Sequence, residues 1–331
     1  MSPSAPSRLL LRQSEHPWLE QACLVVNPLD DALATSAHCH YWGFHAGVAA
    51  LWQQNGRTSH CCVELPQSQV QHVIVYVAKE REVNQWVLAQ LAQLPAATTI
   101  WLVGEKRSGV QSLVKKLPPA YSTCRAIASG EHSKLFECRL EQSQPTPAQY
   151  PMQRIQTTVG SLYSGPGVFS QKQLDEGSAL LIEHLPQLSK AQKVVDFGCG
   201  NGVLSLALAK KNAALTLDLH LTDVNPLSLH CAQHTLREHG ISAEYYLRDG
   251  FPTLDTVDLI ISHPPFHTGL ATDYSVAEGL IHSAHQRLRK GGQLLLVANR
   301  FLPWPEKLAE TFGAVDTIAV NPRFAVYGVK K

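Results

Sequence analysis

Two apolar runs near the end of the chain, VDTIAV (315–320) and FAVYGV (324–329), are separated by only Asn321, Pro322 and Arg323. So short a link joins antiparallel neighbours, because a parallel pair needs a crossover of a dozen residues or more. The preceding residues follow another rhythm. Strands KVVDFG (193–198), LDLHLTD (217–223), AEYYLRD (243–249), VDLIISH (257–263) and QLLLVAN (293–299, after Gly291 and Gly292) are interleaved with helices from Val203 to Lys211, from Pro226 to His239 and over about 274–289. Pro226 just inside a helix start and Gly240 just past its end are the expected punctuation. Apolar strands alternating with helices form a parallel sheet covered on both faces. The expectation is an open α/β sheet, mostly parallel, that finishes in one antiparallel hairpin.

At 331 residues the chain has length for two domains, and the stretch 141–166, with four prolines and no long apolar run, reads as their connection. The boundary is placed near residue 150, giving domains 1–150 and 151–331. The first half faintly repeats the second. HVIVYVAKE (72–80), a helix from about Val83 to Leu94, and TTIWLVGEKRSGVQSLVKKL (98–117) line up with VDLIISHPPF, the 274–289 helix and QLLLVANRFLPWPEKL. This suggests a duplication. Residues 20–60 contain no glycine-rich strand-to-helix turn, so the first copy is expected to lack a cofactor site.

Composition narrows the function classes. With 44% hydrophobic and 17% charged residues the chain has too much core for a disordered protein. No apolar run approaches the roughly 18 residues that cross a bilayer, and the start lacks a signal-peptide core, so a cytoplasmic protein is expected, with no membrane partner. Eight cysteines without a C-x-x-C pair read as reduced thiols. His38, Cys39, His40, His45, His60, Cys61 and Cys62 cluster in sequence, but adjacent ligands do not readily close one tetrahedron, and no metal is expected. Residues 1–150 carry 12 basic and 11 acidic groups, and 151–331 carry 16 of each. Any attraction to nucleic acid must therefore come from local patches such as Lys106/Arg107, Lys115/Lys116, Lys210/Lys211 and Arg287/Arg289/Lys290.

The strongest local signal is Asp196-Phe197-Gly198-Cys199-Gly200-Asn201-Gly202, where a buried strand becomes a helix. Glycines there let the backbone turn tightly and let a ligand approach the main chain. The spacing G-x-G-x-G fails the dinucleotide fingerprint, and an acid before the first glycine would repel a pyrophosphate but suits a cationic sulfonium with an amino-acid ammonium. Asp223 ends the next strand, where a carboxylate can accept both hydroxyls of a ribose, and Asn225 is the better candidate for the helix cap. Asp249 and Gly250 follow the third strand, where they hold an adenine amino group or form a plain turn. The fourth strand ends in Ser262-His263-Pro264-Pro265-Phe266-His267. Two prolines make a rigid loop whose carbonyls can accept N–H bonds from a planar exocyclic amine, with Phe266 stacking on the ring. Methyl transfer to such an amine is an in-line displacement promoted chiefly by positioning.

An open parallel sheet with a final antiparallel hairpin is the architecture of class I S-adenosylmethionine-dependent methyltransferases. Together, DFGCGNGVLS, TDVNP, SHPPFH, VANRFLPWP and the hairpin resemble the bacterial small-subunit ribosomal RNA methyltransferase C family, as do GPGVFSQKQLDEGSALLI (165–182) and VGEKRSGVQS (103–112). The likeness spans nearly the whole chain. It implies two tandem Rossmann-like methyltransferase domains, of which the first supports folding and RNA contact. The second is expected to use S-adenosylmethionine to methylate the exocyclic N2 of a guanine in 16S rRNA of the small ribosomal subunit (guanine 1207 in that family), with the enzyme a monomer. Asp196, Gly198, Gly200, Asp223 and Asp249 fall on the family's cofactor positions, Cys199 and Gly250 lie in the same turns, and Phe169 falls where such enzymes help cover the cofactor. His263, Pro264, Pro265 and Phe266 occupy the catalytic loop. The family motif there is Asn-Pro-Pro-Phe, so His263 is a departure: an amide oxygen offers two lone pairs, a neutral imidazole one acceptor nitrogen and a protonated imidazole none. The loop by itself leaves two alternatives open, methylation of a protein glutamine amide, and an RNA-binding or assembly protein that keeps the cofactor pocket without turnover.

Overall fold

The computed structural model describes residues 2–13, 18, 20–144, 146–264 and 275–331. Its chain divides into two units, Met1–Pro151 and Met152–Lys331. The first contains α1 (Ala5–Leu11), β1 (Cys23–Val26), β2 (Cys39–Gly43), α2 (Ala46–Gln54), β3 (Ser59–Cys61), β4 (His72–Tyr76), α3 (Arg81–Leu91), β5 (Thr99–Glu105), α4 (Val110–Leu113), β6 (Arg125–Gly130) and β7 (Ser133–Arg139). The second contains β8 (Gln153–Gln156), β9 (Ser161–Ser164), α5 (Glu176–Glu183), β10 (Lys193–Phe197), α6 (Val203–Lys211), β11 (Asp218–Asp223), α7 (Pro226–Glu238), β12 (Glu244–Leu247), β13 (Val257–Ser262), α8 (Ser275–Arg287), β14 (Leu288–Asn299), α9 (Trp304–Phe312), β15 (Asp316–Val320) and β16 (Phe324–Lys330).

Each unit builds one seven-stranded sheet, in the orders β3-β2-β1-β4-β5-β7-β6 and β12-β11-β10-β13-β14-β16-β15. Counted along the chain, the two orders are the same. In both, five strands are parallel and the last two form an antiparallel hairpin at one edge. The segments that align between the halves, 72–80 with 257–263 and 98–105 with 293–299, cover the fourth strand of each sheet, the fifth strand of the first and the second half of the fifth strand of the second. Among the described residues no helix is long and apolar enough to cross a membrane.

In the second unit the period-two alternation of the central strands sorts their side chains onto two cores. Val194, Leu259, Ile261, Leu295 and Val297 pack on one face with α6 and α7 residues such as Leu204 and Leu236. Val195, Ile260, Leu294, Leu296 and Ala298 pack on the other with α8 and α9 residues such as Leu280, Trp304 and Leu308. β10 lies between β11 and β13, so the strand order reverses there, and the crevice at the carboxyl ends of β10 and β13 is where open α/β sheets bind ligands.

Two local readings change. Residues 153–164, inside the stretch read as a connection, form the β8–β9 hairpin and dock on α7: Arg154 pairs with Glu238 at 2.7 Å and the Tyr163 amide donates to Thr235 Oγ1 at 2.9 Å. Its short polar strands, QRIQ and SLYS, carry too little alternation to be seen without their partner. Gly291 and Gly292 lie within β14 rather than before a strand. There the register with β13 shifts between Val257 and Leu259, and a Cβ on Gly292 would meet the Arg289 carbonyl at 2.9 Å and that of Asp258 at 3.1 Å. The bulge needs a residue without a side chain.

In the first unit, β1 runs not into a glycine turn but into Asn27 and on to Asp30, which is buried. The Asp30 carboxylate accepts from the Ser4 amide, the Ser7 hydroxyl and the Ala32 amide, and Ser7 in turn meets the Tyr76 hydroxyl at 2.8 Å. Side chains of the chain itself hold this corner, at the carboxyl ends of β1 and β4.

Candidate active site

After β10 the chain enters α6 through Gly198, Cys199, Gly200, Asn201 and Gly202. Gly200 has φ 54°, and a Cβ there would find no atom within 4 Å, so the turn presents bare backbone to open space. Gly202 has φ 80°, and its Cβ would come within 3.2 Å of the Ala232 side chain on α7. The turn is tied to the end of β11: the Gly198 and Cys199 amides donate to the Thr222 carbonyl at 2.8 and 3.0 Å, and the Gly200 amide donates to Asp223 Oδ2 at 2.9 Å. The Cys199 thiol is buried in the core, and that burial pushes it well above its ordinary range.

Asp196 is 1% exposed. Its Oδ2 accepts from the Ser205 amide at 3.2 Å and the Ser205 hydroxyl at 2.6 Å, while its buried Oδ1 has no partner among the described residues. Burial pushes this carboxyl up to about 7, against the pull of the Ser205 hydrogen bonds. Asp223 is pushed up to about 6, again by burial, although the Asn225 and Gly200 amides favour its ionised form. Asn225 caps α7 through the Leu227 amide, which leaves the Asp223 side chain for the crevice. A buried carboxylate oxygen awaiting a donor suits an ammonium group, and Asp223 keeps lone pairs for vicinal hydroxyls. These residues fit S-adenosylmethionine. Asp249 is exposed beside Gly250, whose φ is 99°.

The loop ahead of α5 borders the same crevice. Asn225 Nδ2 donates to the Gly167 carbonyl at 2.7 Å, two residues before Phe169. Phe169 is 62% exposed and stands edge-on to the His263 ring, with centroids 5.5 Å apart. On another side of the imidazole Phe324 packs in the same manner at 5.8 Å. His263 Nδ1 lies 2.8 Å from Ser178 Oγ and 3.3 Å from Asp175 Oδ2. Asp175 also caps α5 by accepting from the Ser178 amide at 3.0 Å. Gly177 makes room for this arrangement, since its Cβ would come within 2.9 Å of both His263 Cε1 and Phe324 Cδ1. Pro264 is buried next to His263, whereas Pro265, Phe266 and His267 lie outside the described residues.

Sequence reasoning singled out His263 but not Asp175, Gly177, Ser178 or Phe324, which surround it. Only the cap was legible, as an Asp before a helical run. An Nδ1–H directed at Asp175 leaves Nε2 as the ring's acceptor. Burial lowers the His263 pKa from 6.5, with Asp175 opposing. At saturating S-adenosylmethionine, where the carboxylates of the cofactor pocket do not limit the rate, a neutral ring acting as acceptor keeps methyl transfer flat down to pH 6.5 and lets it fall only below, as the ring gains its proton. A His263→Asn variant, which has no such group, should lack that limb; rate profiles that coincide from pH 5 to 8 would discard the acceptor role.

The basic pairs fall elsewhere. Lys210 and Lys211 end α6, Arg287 ends α8, and Arg289 and Lys290 begin β14, at the amino edge of the sheet opposite the glycine turn. Several are already engaged: Lys210 with the Val159 carbonyl, Arg287 with that of Leu254, and Arg289 with Asp258. In the first unit Arg107 pairs with Glu105 at 2.7 Å.

Residues 160–328 match the family described as Methyltransferase small domain, and residues 7–153 match Methyltransferase small domain N-terminal. The ribosomal RNA small subunit methyltransferase C of Idiomarina loihiensis is 38% identical over 330 residues, covering 96% of each chain. The chain belongs to the ribosomal RNA small subunit methyltransferase C family. Its Ectopseudomonas mendocina member is 34% identical, covering 98% of this chain and 99% of that one. Among solved structures, the T. thermophilus 16S rRNA N2 G1207 methyltransferase, in complex with AdoMet and guanosine, superposes with a TM-score of 0.86 at 21% identity, covering 100% of this chain and 92% of that one. The family's two-part organisation thus extends along the whole chain.

Proposed function

We propose that this protein transfers the methyl group of S-adenosylmethionine to the exocyclic N2 of a guanine in 16S rRNA of the small ribosomal subunit. The observation that carries the reading is the end-to-end relationship to ribosomal RNA small subunit methyltransferase C proteins, at 38% identity over 96% of both chains. The site chemistry supports it. When bound, the cofactor supplies an electrophilic methyl on a sulfonium. Asp196 holds the ammonium end, Asp223 the ribose hydroxyls, and the main chain at Gly198, Cys199 and Gly200 lines the space between. Asp249 and Gly250 border the adenine, and Phe169 covers the site. His263 and the carbonyl of Pro264 accept the N2 hydrogens, which aims the amine lone pair at the methyl carbon; the parts assigned from the sequence to Pro265 and Phe266 fall outside the described residues. The bound sulfonium would supply the methyl group, its C–S bond giving way to the new N–C bond, and the amine held by His263 and Pro264 would lose its proton to water. The first unit, whose corresponding corner is filled by Asp30, Ser7 and Tyr76, carries no cofactor. The reading takes the protein to act in the cytoplasm as a monomer.

The test is tritiated methyl transfer to 30S subunits that lack the endogenous modification, with digestion of the product to nucleosides. N2-methylguanosine is expected from the unaltered protein and from His263→Asn. Label with the variant alone would mark a binding protein that keeps the pocket without turnover, and label with neither would overturn the reading.

A further inference from the structure

The carboxyl edge of the second sheet carries a feature that neither the cofactor pocket nor the catalytic loop accounts for. Phe301 is 83% exposed, in the turn between β14 and α9, although its neighbours in that turn are anchored. Its amide and that of Leu302 donate to the Asn299 side chain and carbonyl at 3.2 and 3.1 Å, and Trp304, three residues on, is buried. The turn is therefore fixed while the ring faces solvent. Two exposed arginines flank it. The Arg300 amide donates to the Arg323 carbonyl at 3.0 Å, and Arg300 Nη1 donates to the Asn321 carbonyl at 3.1 Å. Among the described residues Arg300 has no carboxylate at ion-pair distance, and Arg323 has one, Glu176, in an exposed pair of 3.2 Å, while its guanidinium lies 5.3 Å from the centroid of the Phe324 ring. Arg323 also lines a cleft of about 550 Å³ shared with Lys172, Leu174 and Glu176. This corner adjoins the candidate site directly: Asn299 pairs with Phe324 across the sheet, and Phe324 packs on His263.

We propose that Phe301 is a stacking platform for an unpaired nucleotide next to the target guanine, with Arg300 and Arg323 holding the adjoining phosphates. An exposed aromatic ring between cations is the chemistry that takes single-stranded nucleic acid, because every base offers a π-face and every linkage a negative charge. An exposed pair such as Arg323–Glu176 contributes little and is readily exchanged for a phosphate. The amino-edge pairs Lys210/Lys211 and Arg287/Arg289 lie on the wrong side of the sheet for this task.

The inference rests on the proposed rRNA substrate, so its test reads RNA binding apart from methyl transfer. Phe301→Ala and Phe301→Trp, with Arg300→Ala, are compared with the unaltered protein for filter binding of in-vitro-transcribed 16S rRNA, for methylation of unmodified 30S subunits, and for affinity for S-adenosylmethionine. Phe301→Ala should weaken RNA binding and raise KM for the subunit by roughly tenfold with kcat retained. Phe301→Trp should restore both, and Arg300→Ala should reduce the salt slope by about one. Cofactor affinity should be unchanged in all three. RNA binding by Phe301→Ala equal to that of the unaltered protein would overturn the platform even if methyl transfer is intact. If the unaltered protein methylates nothing yet the Phe301→Ala loss and Phe301→Trp rescue of RNA binding appear, the platform stands and the proposed reaction falls.

Discussion

Replacing Asp223 by alanine should weaken S-adenosylmethionine binding by roughly a hundredfold or more. A hydrogen bond to a charged group contributes about 1.5–3 kcal/mol, and Asp223 is placed to accept two from a ribose, so at least about 3 kcal/mol is at stake. The substitution also removes the acceptor for the Gly200 and Asn225 amides, at 2.9 Å each, which fasten the glycine turn to the end of β11. Asp223→Asn keeps one acceptor oxygen and should fall between. Titration calorimetry of the three proteins decides: an alanine variant within threefold of the unaltered affinity would mean that the carboxylate serves the turn and not the cofactor.

The second large effect concerns Asp196 and is a dependence on pH. Its carboxyl is raised by burial to about 7 from an ordinary 3.8. Between those values the unfolded chain has released a proton that the folded, cofactor-free chain retains, so this group's contribution to stability declines as pH rises from about 4 to about 7. Cofactor binding has the opposite sign. The ammonium requires the ionised carboxylate, so affinity should drop by up to tenfold per pH unit below 7, more steeply below about 6 where Asp223 also gains its proton. Above about 8 the cofactor's own α-amino group loses its charge, which closes the profile on the alkaline side. Binding near pH 6.5 should release a proton, seen as a calorimetric heat that varies with the ionisation enthalpy of the buffer. Asp196→Asn should bind at least tenfold more weakly at pH 7.5 and lose the decline in melting temperature between pH 6 and 7. A dissociation constant that is constant from pH 5.5 to 7.5 in the unaltered protein would refute the ammonium contact.

Much of this protein is written locally. The boundaries of α6 at Val203 and Lys211, the Pro226 start and Asn225 cap of α7, and the terminal hairpin follow from residues adjacent in the chain, because caps, prolines and short links act on their own backbone. Asp196 and Asp223 were legible for a related reason. Each ends or nearly ends a strand of the parallel sheet, and every such strand delivers its last residues to one edge. The β8–β9 hairpin was not legible, since its stability comes from Arg154–Glu238 and Tyr163–Thr235 contacts with a helix 84 and 72 residues later.

The alternation of strands and helices, the terminal hairpin and the glycine turn with its acids were legible in the residues, since each depends on periodicity or on neighbours within a single turn, whereas the departure at position 263 was legible only against the family motif. Only the tertiary structure decided what His263 meets. Its partner Ser178 is 85 residues away, and the space for its ring exists because Gly177 has no side chain where α5 passes Phe324. The structure also decided which charges face the crevice. Lys210 and Arg287 fall on the amino edge and Arg300 and Arg323 on the carboxyl edge, because strand direction, which only sheet pairing sets, assigns each end of an element to one side of the molecule.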